Sequence, residues 1–353
     1  VLGCFALQGA AGGLLCARGL TGGVQATVTG LLGGALFACL PTLWERAFRH
    51  TALASQWLFL FALYVYLESR EALRRTGRAP KRRWWLVVLA FAAVGIHPYF
   101  LPLVMVCALL WSVDRVRLKG GIPGAVLDFL AALAAALVGG VVCGAIGTES
   151  SLSRDGYGEF SMNLNALFNP SSRGGYTWSR LLPVLPQQPG QYDGFNYLGL
   201  GVLVLLALAL LVSAAAVFRR PQSVRAWWGR NWTVAVVCGL LTVFAVSNHV
   251  YWGNTGFTLP LPAWLLNLCG IFRASGRMFY LPAACLVVWG VYTLRRACGR
   301  LPYPAVCASV LLALLLIVQV WDLSAVAAEK RNYFTDCMAY PVENVASHPM
   351  TAG

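Results

Sequence analysis

Long apolar runs alternate with short clusters of basic residues along the chain, and this alternation limits the possible fold more than any other feature of the sequence. The runs are continuously apolar, and most approach the roughly 20 residues that a helix needs to cross a bilayer. Strands of a transmembrane barrel would instead alternate apolar and polar residues. Only 11% of the residues are charged, against about 25% in soluble domains. The sequence therefore predicts an all-α fold, a polytopic transmembrane helical bundle with structured periplasmic loops.

The basic clusters distinguish the two sides of the membrane, because Lys and Arg concentrate on the cytoplasmic side. Eighteen of the 27 Lys and Arg residues fall into these clusters. The clusters lie at Arg18 and within residues 70–83, 115–119, 219–230 and 295–300. The opposite side carries nine basic and nine acidic residues. The basic clusters therefore orient the protein in the membrane and contact membrane lipids. Despite the net charge of +14, we expect no nucleic-acid partner.

The apolar run at residues 84–113 predicts a hairpin rather than a single span. It is 30 residues long, and basic residues flank both of its ends, so both ends belong on the cytoplasmic side. His97 and Pro98 lie near its middle, where a proline ends a helix. We expect two half-helices that meet at Gly95–Phe100 and are buried in protein or line a cavity.

With this hairpin, residues 1–321 contain about nine to ten predicted membrane segments. We expect further helices upstream of Val1 and a polar periplasmic tail at 322–353 that begins a truncated C-terminal region. Two long periplasmic loops interrupt the bundle, at 147–196 and 248–277. Within the second loop, residues 262–272 predict an amphipathic helix that lies along the membrane surface.

The loop at 147–196 is rich in aromatic residues, Asn and Gly, which predicts an ordered lid with defined turns. Asp155 and Glu159 flank Tyr157 there, and two neighbouring carboxylates can act as general base and as ligand of an acceptor or a metal. The alternative is that both are solvated charges, with Asp155 paired to Arg154. No metal ligand is assigned, and a divalent cation at these carboxylates is the only cofactor considered.

Arg273 and Arg277 are four residues apart where the chain re-enters the membrane. On one helix they would share a face, and guanidinium groups bind phosphate or pyrophosphate through paired hydrogen bonds. Arginine is disfavoured on the periplasmic side, so we expect this pair to bind a substrate phosphate. The alternative is an anchor that contacts lipid headgroups.

Three histidines lie on the periplasmic side, and a histidine titrates near neutral pH. His97 and His50 are candidates for acid–base or hydrogen-bonding roles, and His249 is a candidate for contact with the substrate. Candidates in the loop for contact with sugar rings or isoprenoid chains are Tyr157, Trp178, Tyr192 and Asp193. The alternative for each is a structural role, as a packed turn or as the underside of the loop.

Five segments together resemble a known class of membrane enzyme. They read WERAFRHTALASQWLFL, GIHPYFLPLVM, GYGEFSMNLNALFNP, GQYDGFNYLGLG and IFRASGRMFYLP. Their order is similar to that in bacterial polytopic proteins of the GT-C glycosyltransferase class, and more closely to an uncharacterised membrane family often grouped with it. The resemblance implies transfer of a sugar from a polyprenyl-phosphate donor to a glycan or lipid acceptor at the periplasmic face of the bacterial inner membrane. It also implies a catalytic acid in the first periplasmic loop, which we expect upstream of Val1.

The leading hypothesis is therefore a GT-C-like glycosyltransferase. In it, an upstream carboxylate or Asp155 and Glu159 deprotonate the acceptor, and Arg273 and Arg277 stabilise the lipid-phosphate leaving group. A transporter or flippase of lipid-linked sugars is the first alternative, but it would need ionisable residues near span centres, where only Asp128 is a candidate. The second alternative is a non-catalytic membrane partner in envelope glycan assembly.

Overall fold

The computed structural model describes residues 1–20, 22–146, 156–172 and 176–339. Within these ranges the fold is helical, with one antiparallel hairpin of two short strands, so the predicted all-α class is confirmed. The helices are α1 Leu2–Ala17, α2 Gly23–Ala38, α3 Pro41–Arg49, α4 Trp57–Thr76, α5 Trp85–Ile96, α6 Phe100–Arg117, α7 Ile122–Val142, α8 Leu200–Arg219, α9 Gln222–Val246, α10 Ala263–Gly270, α11 Tyr280–Cys298 and α12 Pro304–Ala339. The strands are β1 His249–Trp252 and β2 Thr255–Thr258.

Six helical segments among the described residues are long and apolar enough to cross a membrane. They are Thr51–Thr76, Ile122–Val142, Leu200–Arg219, Gln222–Val246, Ser275–Cys298 and Pro304–Asn332. A seventh results if α2 and α3, which are bent by 50°, form one broken span. The predicted nine to ten segments are therefore too many. The short helices α1 and α5 account for part of the excess, because their 16 and 12 residues extend only about 24 and 18 Å, short of a hydrocarbon core of about 30 Å.

The predicted hairpin at residues 84–113 is confirmed. α5 ends at Ile96 and α6 begins at Phe100, with His97 in an extended conformation between them. α5 packs on α7 and α6 packs on α4, so both half-helices are supported by longer neighbours. The break therefore brings His97 to one end of the bundle as part of a packed turn.

The bundle is organised around α4 and α11, whose residues are mostly buried, whereas α8 and α9 are mostly exposed. The exposed residues of α8 and α9 are largely apolar, such as Leu211 and Val243, which indicates that these two helices face lipid. α1 and α2 pack closely through glycine, since a Cβ atom on Gly34 would lie 2.4 Å from the Gly9 carbonyl oxygen.

The two ends of the bundle differ in character. We call the end that carries the turns at residues 18–20, 77–84, 118–121, 220–221 and 299–303 the basic end. The opposite end, which carries residues 39–56, 97–99, 156–199 and 247–279 as far as they are described, is the loop end. The loop end contains the described parts of the two predicted periplasmic loops, and α10 lies within the helix predicted at 262–272.

Buried carboxylates at the basic end are fully engaged. Asp128 accepts hydrogen bonds from Trp111 (2.7 Å), Arg115 (2.5 Å) and Arg83 (3.0 Å). Asp114 is likewise held by Tyr66, Thr233, Arg70 and Arg117. Asp128 therefore ties α7 to the preceding elements near the basic end, rather than presenting a charge at the middle of a span.

The long loop (described residues 156–172 and 176–199) has little regular secondary structure but is ordered by asparagine side chains, as predicted. Asn163 donates to Gln191 Oε1 at 2.7 Å and to the Gly253 carbonyl at 2.9 Å. Asn165 and Asn169 donate to the carbonyls of Pro186 and Leu185. Buried amides thus replace a strand ladder in satisfying the backbone of this loop.

α12 fixes the far side of the long loop. It runs to Ala339 through Asp322, the residue at which the predicted periplasmic tail begins. Asp322 is fully buried and accepts hydrogen bonds of 2.5 Å from both Ser179 and Tyr197. These bonds from the loop stabilise the polar residue inside the helix, so polarity did not mark the helix end.

Candidate functional site

The most highly charged buried site among the described residues is centred on Asp193 at the loop end. Arg46 donates to Asp193 Oδ1 at 2.5 Å and to its backbone carbonyl at 2.7 Å. Arg277 donates to Oδ2 at 2.6 Å. Arg49 approaches Oδ1 at 3.3 Å. We call Arg46, Arg49 and Arg277, together with Asp193, the arginine cluster.

Glycines allow the backbone segments of the cluster to approach each other. Asp193 lies in a short 3-10 helix, Gln191–Gly194, and Arg277 lies in another, Ser275–Phe279. A Cβ atom on Gly194 would lie 2.0 Å from the Ser161 carbonyl oxygen, and one on Gly276 would lie 2.6 Å from the Gly194 Cα atom. Only glycine fits at both positions, so the two short helices pack directly and bring Asp193 to Arg277.

α3 contributes the other two arginines. The helix begins with Pro41 at its first position, where a proline is favourable. Arg46 and Arg49 are three residues apart and therefore lie on the same face. Arg46 is fully buried, and its Nε also donates to the Tyr280 hydroxyl at 3.0 Å. The helix thus directs two guanidinium groups at one carboxylate.

The charge state of Asp193 follows from these contacts. Burial alone would raise its pKa, but the charges of Arg46 and Arg277 and their hydrogen bonds outweigh burial and hold the pKa at about 2. Asp193 is therefore ionised at neutral pH with both oxygens engaged. A carboxylate in this state is a poor general base, and its role in this arrangement is to hold the arginines.

Arg277 contacts an aromatic ring in addition to Asp193. Its guanidinium carbon lies 4.5 Å above the Tyr99 ring, and the Tyr99 hydroxyl accepts a hydrogen bond of 2.8 Å from the Ala274 amide. Its Nε has no hydrogen-bond partner among the described residues. Arg277 therefore keeps a donor that a bound oxyanion could use.

His97 and His50 lie close enough to the arginine cluster for its positive charges to affect their pKa values. Burial, followed by the charges of Arg277, His50 and Arg46, lowers the pKa of His97 to about 4. Burial, followed by the charges of Arg46 and Arg49, also lowers the pKa of His50. Both rings are therefore neutral at pH 7 and can accept or donate one hydrogen bond.

The predicted helical pair of Arg273 and Arg277 is wrong in its geometry. The 3-10 helix begins only at Ser275, because the Ala274 amide is used by the Tyr99 hydroxyl instead of a helical carbonyl. Arg273 therefore turns to Glu159, with Nη2 at 2.7 Å from Oε2, while Arg277 turns to Asp193. The two arginines serve different carboxylates, one near the surface and one buried.

Glu159 and Arg273 form the exposed layer of the site. Their side chains are 47% and 43% exposed, so the pair is open to solvent or to a ligand. The Arg273 guanidinium carbon lies 4.6 Å from the centre of the Phe160 ring, which also contacts Tyr192 edge-on at 6.0 Å. Tyr192 in turn faces Arg49 at 5.7 Å. These contacts connect the exposed pair to the cluster through two aromatic rings.

The remaining predicted residues lie elsewhere in the loop end. Tyr157 packs on Phe244 at 5.3 Å, and its hydroxyl donates to the Phe244 carbonyl. Trp178 is fully buried and packs against Phe195 at 5.3 Å. His249 lies on β1, with Nδ1 at 3.0 Å from the Thr258 hydroxyl. Asp155 lies outside the described residues.

The structure thus brings together five of the predicted site residues and adds several that sequence reasoning missed. The five are His50, His97, Tyr192, Asp193 and Arg277. The residues missed are Glu45, Arg46, Arg49, Tyr99 and Tyr280. A usable signal was present for the arginines, because a short turn on the side that disfavours arginine carries two of them three residues apart.

Glu45 adds a second buried carboxylate beside the cluster. It is 1% exposed, and Arg49 Nη2 lies 3.0 Å from its Oε1. Its other oxygen, Oε2, has no hydrogen-bond partner among the described residues. No group of three or more His, Cys, Asp or Glu side chains in the described part of the chain is arranged to hold a metal ion.

These features are those of a helical membrane protein, with six helices long and apolar enough to cross a bilayer and a buried cationic site at one end of the bundle. The chain belongs to the family DUF6311, which is described as a domain of unknown function and matches residues 1–324. This match contains the whole arginine cluster and all the helices except the end of α12. No curated protein and no solved structure matches the chain.

Proposed function

We propose that this protein is an integral-membrane glycosyltransferase that moves a sugar from a polyprenyl-phosphate donor to a glycan or lipid acceptor of the cell envelope. In this proposal the loop end faces the periplasm of a bacterial inner membrane. The observation that supports it best is the convergence of Arg46, Arg49 and Arg277 at the loop end of a bundle with six apolar helices. The phosphates of lipid-linked substrates lie near the ends of membrane-spanning helices, which is where this proposal needs an anion-binding site.

The charge balance of the site favours an anionic ligand. The three guanidinium groups face two carboxylates, Asp193 and Glu45, and the two histidines are neutral at pH 7. The site therefore keeps a net positive charge in a partly buried setting, where electrostatic attraction is stronger than in water. Guanidinium groups also match phosphate oxygens geometrically.

The proposed reaction assigns separate roles to the buried arginine cluster and to the exposed pair of Glu159 and Arg273. The bond from the sugar C1 to the donor phosphate oxygen breaks, and a bond from C1 to the acceptor hydroxyl oxygen forms. The arginine cluster, above all Arg277, stabilises the charge that develops on the leaving phosphate. The proton of the acceptor passes to a carboxylate, for which Glu159 is the exposed candidate among the described residues. Asp155, which lies outside the described residues, remains the other candidate.

A transporter of lipid-linked sugars has less support. Its strongest candidate from the sequence, Asp128, is paired with Arg83, Arg115 and Trp111 near the basic end. A substrate site at the middle of a span would need ionisable side chains at that depth. The non-catalytic alternative would leave the convergence of Arg46, Arg49 and Arg277 on Asp193 without a ligand to bind.

The test is complementation of a deletion strain with the full-length protein carrying Arg277→Ala. We expect loss of a surface glycan at normal membrane expression, together with loss of polyprenyl-phosphate binding in detergent micelles. Arg82→Ala is the matched control, since Arg82 pairs with Glu68 at the basic end and is exposed. Unchanged glycan and unchanged binding in the Arg277→Ala variant would remove the basis of the proposal.

A further inference from the structure

The turn between α8 and α9 carries a concentration of positive charge that the proposed reaction does not use. Four arginines lie there within 12 residues: Arg219, Arg220, Arg225 and Arg230. The sequence contains no Asp or Glu between Gly194 and Trp321. Neither of the two helices can therefore supply a carboxylate to neutralise the turn.

No other element supplies one. All four arginines are exposed, and no carboxylate of the described residues lies within ion-pair distance of them. Asp114 is connected to this turn through Arg117, which also donates to the Gly229 and Arg230 carbonyls, but Asp114 is buried and already occupied.

Exposed arginines of the α4–α5 segment, at the same end of the bundle, differ from those of the turn because they have carboxylate partners. Arg74 and Arg75 both pair with Glu71, and Arg82 pairs with Glu68. These side chains are also exposed, so exposure alone does not separate the two groups. The difference is that the α4–α5 segment carries its own acids and the α8–α9 turn does not.

Two tryptophans place the turn at a membrane surface. Trp227 and Trp228 are 45% and 51% exposed, and their rings lie 6.4 Å apart. Tryptophan concentrates at the boundary between headgroups and hydrocarbon. α8 and α9 are also the least buried of the candidate spans, which leaves the apolar surface next to the turn uncovered by the rest of the protein.

We propose that the α8–α9 turn patch, Arg219, Arg220, Arg225 and Arg230 with Trp227 and Trp228, binds the phosphate headgroups of anionic phospholipids. Guanidinium groups bind the phosphate oxygens in pairs of hydrogen bonds, and the indole rings rest against the glycerol and upper chain region. A soluble acidic partner would use the arginines but would leave exposed tryptophans and apolar helix faces uncovered. The lipid accounts for both the charge and the apolar surface.

The experiment measures lipid binding by the full-length protein in detergent micelles, with phosphatidylglycerol or phosphatidylcholine added at equal concentration. The test variant is Arg219→Gln/Arg220→Gln/Arg225→Gln, and the control is Arg74→Gln/Arg75→Gln/Arg78→Gln. Both variants remove three charges from the same end, but two of the control arginines are already paired with Glu71. Gel filtration and circular dichroism establish that both variants are folded.

We expect the wild-type protein to bind phosphatidylglycerol about tenfold more tightly than phosphatidylcholine, with the preference lost at high salt. The preference for phosphatidylglycerol should fall at least fivefold in the test variant and should change by no more than about twofold in the control. Equal losses in both variants, or none in the test variant, would overturn the proposal. Displacement of the lipid by millimolar inorganic phosphate, or by a soluble acidic polymer, would also overturn it by showing that the patch does not require a lipid.

Discussion

The buried carboxylates at the two ends of the bundle differ in what surrounds them. At the basic end, Asp128 is held by two arginines and an indole that leave its oxygens fully engaged. At the loop end, Asp193 also holds arginines, but the neighbouring Glu45 Oε2 and Arg277 Nε lack hydrogen-bond partners among the described residues. Two neutral histidines lie in the same field.

The difference indicates what each end is for. Fully satisfied buried ion pairs fix helices relative to one another and need no ligand. Buried polar atoms without partners are costly, and each calls for a specific explanation. They also occur toward the basic end, at Ser69, Ser112 and Arg295, so they do not separate the two ends. The loop end differs because three arginines converge there on one carboxylate, which makes it the better place to look for an anionic ligand.

The largest expected effect is on stability, in Asp193→Ala. Removing this carboxylate leaves Arg46 fully buried without its partner, so we expect the free energy of unfolding to fall by about 3–5 kcal/mol. Asp128→Ala should cost less, because the Arg83 and Arg115 side chains are 16% and 14% exposed and can turn toward headgroups. Denaturant titration in detergent measures both. Equal losses of unfolding free energy in the two variants would show that the two buried carboxylates stabilise the fold to the same extent.

The next effect concerns activity, in Glu159→Gln. If Glu159 takes the acceptor proton, transfer should fall by about 10²-fold or more. Stability should change by less than about 1 kcal/mol, because the ion pair with Arg273 is half exposed. Glu71→Gln is the counterpart at the basic end, where Glu71 also pairs with exposed arginines, and it should leave transfer unchanged. Normal transfer by Glu159→Gln would move the general base to another carboxylate.

A smaller effect should appear as the pH falls. The pKa of His97 is about 4 in the folded protein and about 6.5 when unfolded, so the unfolded chain binds the proton first. The free energy of unfolding should therefore fall by about 2 kcal/mol between pH 6.5 and 4, since solvent screens part of the shift at this half-buried ring. His97→Gln should abolish this part of the pH profile.

Asp193 should control the next pH interval. Its pKa is about 2 in the folded protein against 3.8 unfolded, so its contribution is complete above pH 3.8 and is lost as the pH falls through about 2. The loss should be about 2 kcal/mol, and Asp193→Asn should remove it while leaving the His97 interval in place. A single transition insensitive to both substitutions would mean that neither group controls acid unfolding.

The smallest expected effect compares two tyrosines. Tyr99→Phe removes the acceptor for the Ala274 amide, and Tyr66→Phe removes a donor to Asp114. We expect about 1 kcal/mol for Tyr99 and somewhat more for Tyr66, whose partner is a charged and fully buried carboxylate. Thermal unfolding of the two variants in the same detergent compares them directly. The reverse order would mean that the loop end is held more firmly than the basic end.

Local patterns in the sequence were sufficient for the framework. Apolar runs predicted the helices, His97-Pro98 predicted the break between α5 and α6, and the Asn-rich loop was predicted to be ordered. The number of spans was too high in part because apolarity does not give helix length, and α1 and α5 have only 16 and 12 residues. Nor did the sequence show that α12 continues through Asp322, which is stabilised there by bonds from the loop.

The sequence by itself determined that this chain is a helical membrane protein, because hydrophobicity and charge act locally along the chain. Only the tertiary structure decided which charges meet. Asp193 is separated from Arg46 by 147 residues and from Arg277 by 84, and no local pattern connects them. Their contact depends on the close approach of Gly194 and Gly276, which is a property of the packed backbone. The same packing separated Arg273 from Arg277, although the sequence places them one helical turn apart.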